Sequence, residues 1–236
     1  EEARRREEAR AAEAMRAVAY VTAAANDAAH RHPDEATRKR NQAFVELMIP
    51  IVKGWSTETA QEVTYLGVQI HGGMGYIEET GAAQYLRDAR ITTIYEGTTG
   101  IQGNDLIGRK IARDGGATIK ALLVTMRALD ADLAGQDGEH FASLRRRFTA
   151  GIDAVERAAD WLIATYGKDV RAASAGAVPF LKLLGIVAGG WMMARSALAA
   201  QARIDGGSSD PFYPAKIATA RFYADHVLSQ ADGLAS

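Results

Sequence analysis

The sequence predicts an all-α chain made of two helical bundles, and three observations carry that prediction. Apolar residues recur at helical spacing through most of the chain. Clusters of Gly, Pro, Asp and Ser separate those segments, and only the short β-branched run "ITTIY" (91–95) suggests a strand. With 236 residues and 47% hydrophobic content, the chain has enough apolar surface for one large core or two small ones. The division is expected at Gly115 and Gly116, giving one helical unit over 1–116 and an antiparallel four-helix bundle over 117–236.

Residues 1–14, "EEARRREEARAAEA", contain only Glu, Ala and Arg, and the pairs Glu1 with Arg5 and Glu2 with Arg6 have the i, i+4 spacing of an exposed helix. So narrow a composition reads either as a solvated helix end or as an engineered helix. From Met15 the candidate core contacts are Val18, Tyr20, Val21 and Ala25. Pro33 and Asp34 stop this helix and start a second, which runs to about 70 with Phe44, Leu47, Met48, Ile51, Val52 and Trp55 on one face and a kink expected at Pro50. Four glycines break "HGGMGYIEETG" (71–81), "AAQYLRDARI" reads as a short helix, and Thr98 or Thr99 can cap a helix from about 100 to 113 that "RDGG" terminates. The later segments are 117–134, 139–167, 170–204 and 212–231. Pro179 should bend or interrupt the third of these, and Gly189 with Gly190 should let another helix approach closely.

Several function classes are disfavoured. With 28 basic and 29 acidic residues the net charge is −1, so neither nucleic acid nor an anionic membrane surface is an expected partner. The apolar run "GIVAGGWMMA" (185–194) is too short to span a bilayer. The absence of cysteine removes disulfides, thiolate nucleophiles and Cys-ligated zinc, and a cytoplasmic setting is expected. His30, His32, His71, His140 and His226 lack ligand spacing, so no metal site is expected. "GNDLIGRK" (103–110) has phosphate-loop glycine spacing, but Arg109 and Lys110 stand where Lys and Ser or Thr belong. "GGMG" has no βαβ context, and no G-x-S-x-G elbow occurs. The opening on Glu1 reads as a piece of something longer.

Glu96 has the least ordinary setting of the carboxylates. Ile94 and Tyr95 precede it and Gly97 follows, which suggests a tight, largely apolar turn where desolvation would favour a proton acceptor. Helix amides after Thr98 would present donors to an anionic ligand. A capping or surface carboxylate is the alternative.

"QIHGGMGY" (69–76), "YLRDARI" (85–91) and "IYEGTTGIQ" (94–102) resemble, in order and spacing, the C-terminal helical domain of the FAD-dependent acyl-CoA dehydrogenases. The resemblance covers about 15–114. Residues 117–236 resemble the additional helical domain of the longer bacterial members, some of which act on unusual short or sulfur-containing acyl-CoAs. It implies that Glu96 takes the pro-R α-proton of an acyl thioester while the β-hydrogen leaves as hydride to flavin N5. It places Gly97 and Tyr95 at the substrate, and Thr98, Thr99 and Gly100 at the flavin. Gln69, Ile70, His71, Gly72 and Gly73 would meet the adenosine and pyrophosphate of FAD bound to a neighbouring subunit. The implied partners are an acyl-CoA, an electron-transfer acceptor and further copies of the chain in a homo-oligomer.

The sequence departs from the family pattern at Gly100, where many members carry glutamine, and at His71, a commonly apolar position. The family's N-terminal helical domain and middle β-domain have no counterpart here. The chain is therefore expected to be a fragment that by itself keeps no FAD and oxidises no acyl-CoA. An engineered or isolated helical scaffold without activity is the alternative, and Asp105 is the substitute base. Far-ultraviolet circular dichroism should show helix alone; substantial β signal would contradict the fold class.

Overall fold

The computed structural model describes residues 2–236, with side chains from residue 11 onward, so the Glu1–Arg5 and Glu2–Arg6 pairs lie outside the described residues. The helices are α1 (Glu2–Arg31), α2 (Glu35–Pro50), α3 (Ser56–Ile70), α4 (Gly73–Tyr76), α5 (Ala82–Thr92), α6 (Thr99–Asn104), α7 (Ala117–Arg127), α8 (Leu129–Ala134), α9 (Glu139–Tyr166), α10 (Val170–Ala175), α11 (Ala177–Asp205), α12 (Phe212–His226) and α13 (Ala231–Ala235). Two π-helical segments, Ile51–Trp55 and Asp105–Ile111, continue α2 and α6. No strand occurs among the described residues.

The run "ITTIY" is helical at its start. The Ile94 and Tyr95 amides both donate to the Ile91 carbonyl, at 3.0 and 3.1 Å, so the segment closes the end of α5 and leaves its amides no role in a strand ladder. β-branched composition loses here to local hydrogen bonding.

Asp34 begins α2 as its N-cap, accepting from the Thr37 amide at 2.8 Å, and the Thr37 hydroxyl and amide together hold its carboxyl below the usual carboxylate range. The kink expected at Pro50 takes the form of a π-helical turn. Proline offers no N–H to the regular ladder, and the backbone stays right-handed through Pro50, Ile51 and Ser56 on its way into α3. The interruption expected near Pro179 falls at Gly176, between α10 and α11, which leaves Pro179 in the first turn of α11, where a missing N–H costs little.

The centre of the molecule is α11, which packs against α1, α6, α9, α12 and α13. Over 183–194 it is apolar on every side, and Leu183, Leu184, Ile186, Val187, Ala188 and Met193 are all buried. The apolar run at 185–194 lies within this helix of 29 residues, which is long and apolar enough to cross a membrane by length and composition, with its apolar window 83% buried inside the protein. The core is continuous across Gly115 and Gly116: Ala14, Val18, Leu47 and Trp55 on one side share it with Phe148, Val155, Val187 and Tyr223 on the other. Of the core contacts expected in α1, Val18 and Ala25 are buried and Val21 packs on the core, whereas Tyr20 is exposed.

Gly189 and Gly190 do permit close approach. A Cβ at Gly189 would overlap the Tyr223 hydroxyl and stand 2.9 Å from the Trp55 ring, and one at Gly190 would stand 2.8 Å from Leu228. Tyr223 is fully buried, which pushes its phenol far above the usual tyrosine range, and its hydroxyl donates to the Ile186 carbonyl at 3.0 Å.

Gly189→Ala should therefore destabilise the chain by about 1–3 kcal/mol despite alanine's better helix propensity, because two packed rings must move. Tyr223→Phe should cost about 1 kcal/mol through the lost hydrogen bond. The double variant should lose less than the sum, since the phenylalanine lacks the atom that the new methyl strikes. Urea unfolding monitored by circular dichroism measures all three, and strict additivity would contradict the contact.

Candidate active site

Between α5 and α6 the chain makes a tight turn over residues 93–99, closed by the Thr99 amide donating to the Thr93 carbonyl at 3.3 Å. Among the described residues Glu96 alone, apart from glycines, has a positive φ, 53°. A left-handed conformation costs a side-chain-bearing residue about 1 kcal/mol. Gly97 follows with φ 93°, where a Cβ would be strained and would also stand 2.9 Å from Gln102 Nε2.

Hydrogen bonds from several elements hold this turn. Gln102 Nε2 donates to the Glu96 carbonyl at 3.3 Å, and Lys53 Nζ, from the π-helical segment after α2, donates to the Gly97 carbonyl at 2.6 Å. The Thr99 hydroxyl donates to the Glu58 carboxylate in the first turn of α3. Gln61 Nε2 donates to the Ala89 carbonyl in α5 at 2.6 Å. Thr98 is the N-cap of α6, its Oγ1 accepting from the Ile101 amide at 3.4 Å. Lys53, Glu58 and Gln61 thus fasten α5 and the turn to one rod.

None of those three residues stands out in a reading of motifs. Lys53 leaves one sequence signal, a lone cation in the apolar run "MIPIVKGW" (48–55). A charge on an otherwise buried face needs a polar partner. That partner lies 44 residues ahead.

The Glu96 side chain is exposed, as are Ile91, Ile94, Tyr95 and Ile101 around it. The turn is as tight as expected, but the dry surroundings are not built by this chain. Asp105, the substitute base, is engaged with Arg109 one helical turn on, and its side chain is only 13% exposed.

Gln69, Ile70, His71, Gly72 and Gly73 occupy the other end of α3, where the backbone turns at Gly72 with φ 58°. Glu58 marks the Glu96 end and Gln69 the far end, so 1.5 Å per residue puts roughly 17 Å of helix axis between them. The structure thus keeps the two groups of motif residues apart. A Cβ at Gly72 or Gly73 would meet nothing within 4 Å, and one at Gly100 would meet only Thr98 Oγ1 at 3.9 Å. At these places the backbone lies open to a ligand. His71 is exposed and its Nδ1 hydrogen-bonds the Gly67 carbonyl of its own helix at 2.8 Å.

Residues 7–111 match the family described as acyl-CoA dehydrogenase, C-terminal domain, and residues 117–236 match the family described as acetyl-CoA dehydrogenase C-terminal like. Over 92% of its length the chain is 48% identical to a 3-methylmercaptopropionyl-CoA dehydrogenase of Ruegeria pomeroyi, of which it covers 36%. It is 31% identical, again over 92% of its length, to a broad-specificity linear acyl-CoA dehydrogenase of Mycobacterium tuberculosis, of which it covers 37%. The chain thus spans little more than a third of these relatives. An acyl-CoA dehydrogenase of Bacillus anthracis, solved in complex with FAD, shares the fold over 98% of this chain and 40% of its own, with a TM-score of 0.74 at 17% identity.

Replacing Thr98 by valine removes the cap of α6 and should lower stability by about 1 kcal/mol in chemical unfolding. Serine at this position should restore the loss, since only the hydroxyl is required.

Proposed function

The chain belongs to the acyl-CoA dehydrogenase family, and from that premise we propose that Glu96 is the base that removes the α-proton of an acyl-CoA thioester during α,β-dehydrogenation. The observation that supports this most directly is the Glu96 turn: a carboxylate kept on a left-handed backbone, with the next two carbonyls each held by a side chain. Such fixation suits a group that must meet one hydrogen of a substrate at one distance. The thioester would lie beside the base along the Gly97 backbone, and Tyr95 with Ile94 and Ile101 gives an apolar wall.

FAD fits the residues present: Gly72, Gly73 and Gly100 offer backbone that a ligand can approach, and Thr98 and Thr99 border the turn. When bound it supplies the hydride acceptor. Because Gln69–Gly73 lie roughly 17 Å from the Glu96 end of α3, we assign them to the adenosine and pyrophosphate end of the cofactor of a neighbouring copy, in a homo-oligomer. The likeness to an enzyme acting on 3-methylmercaptopropionyl-CoA favours a short, thioether-bearing acyl chain as substrate. Electrons would then pass to an electron-transfer acceptor, in a cytoplasmic setting.

The chain alone should be inactive. Glu96 is exposed, and proton abstraction from a weakly acidic carbon needs water kept away from the base. In a full-length dehydrogenase carrying this segment, Glu96→Gln should reduce turnover at least on the order of 10²–10⁴-fold while FAD content stays unchanged. Retained turnover would move the base elsewhere, with Asp105 the next candidate. For the chain by itself, the visible spectrum after purification with added FAD should lack a flavin band; a stoichiometric band would overturn its assignment as an incomplete pocket.

A further inference from the structure

We propose that Lys53 is a positioning residue for Glu96: its ammonium, by holding the Gly97 carbonyl, sets the direction in which the carboxylate points. The proposal rests on the reading of Glu96 as the base. Two successive carbonyls follow the Glu96 Cα, its own and that of Gly97; Gln102 Nε2 donates to the first at 3.3 Å and Lys53 Nζ to the second at 2.6 Å. Fixing both leaves the backbone of Glu96 and Gly97, at φ 53° and 93°, little freedom to relax into the right-handed region. The direction of the Glu96 Cα–Cβ bond follows from that backbone.

Gln102 is six residues away and rides on α6, which the turn itself begins, so its bond cannot tie the turn to the helices that precede it. Lys53 can. It belongs to the π-helical segment between α2 and α3, whose neighbour Gly54 is packed so closely that a Cβ there would stand 2.8 Å from Leu181 and 3.3 Å from Gln102. Among the described residues no carboxylate is ion-paired with Lys53, although a lysine head ordinarily seeks water or an acid. The extra residue of the π-helical turn rotates the Lys53 face relative to a regular helix, a feature frequent at functional sites.

The test uses a full-length dehydrogenase carrying this segment, in four forms: unchanged, Lys53→Met, Lys53→Arg and Glu96→Gln. Lys53→Met should lower kcat on the order of 10²-fold with KM for acyl-CoA and flavin content little altered, the effect expected of a misplaced reacting group. Lys53→Arg should recover most of the loss, because a single carbonyl needs one cationic donor and no fixed fork. Amide hydrogen exchange should speed up at Gly97–Gly100 in Lys53→Met and stay unchanged in α11, which serves as the control for folding. An unchanged kcat in Lys53→Met overturns the proposal. So does a joint loss of kcat, flavin and α11 protection without rescue by arginine, which assigns Lys53 to general stability. If Glu96→Gln keeps turnover, the base is elsewhere and the proposed function falls. Exchange at Gly97–Gly100 then decides by itself whether Lys53 holds the turn, and unchanged exchange there overturns the proposal.

Discussion

Everything in this fold answers to the burial of α11. Residues 183–194 of this helix are apolar and buried on every side, so other helices must cover the whole circumference of that stretch. The covering reaches across the chain. Trp55, from the π-helical turn of the first segment, lies against Gly185 and Gly189, and Tyr223 from α12 meets the same Gly189 from another side. Gly103 at the end of α6 closes against Ala177 at the start of α11. The elements bearing the candidate active site are thus seated on the same central helix, and the site inherits its geometry from the core.

That seating explains how a strained turn persists. A left-handed Glu96 costs about 1 kcal/mol, whereas a hydrogen bond from a charged donor contributes about 1.5–3 kcal/mol, so the Lys53 bond alone can offset the strain. The comparison is meaningful because Lys53 stands on backbone that the core already immobilises, two residues before buried Trp55. A lysine on a mobile loop would lose much of the gain in ordering its own side chain.

Helix existence, the glycine contacts of α11 and the motif around Glu96 were legible in the sequence, because each is a matter of local spacing or of residue type at one place. Val18, Leu47, Met48, Ile51 and Trp55 could be assigned to the core from periodicity alone. Where the sequence misled, two local preferences competed, the β-branched residues of "ITTIY" against the closing hydrogen bonds of α5. The support of the site was hidden for a different reason. Lys53 and Gly97 are 44 residues apart and Glu58 and Thr99 are 41 apart, and no periodicity links residues that meet only through tertiary packing.

The exposed surface completes the physical picture. Tyr65, Tyr76, Tyr85, Ile91, Ile94, Tyr95 and Ile101 all lie in α3–α6 or the turns between them, and all are exposed. Elsewhere the exposed large apolar side chains are scattered singly over several helices, as with Tyr20, Ile49, Val124, Trp161 and Phe212. Apolar side chains concentrated on one region mark a surface shaped to be covered. Glu96 lies within that region, so whatever covers it would also dry the carboxylate. Burial of the proposed base and docking of such a cover would then be one event, the free energy of excluding water from the tyrosines and isoleucines offsetting the desolvation of Glu96.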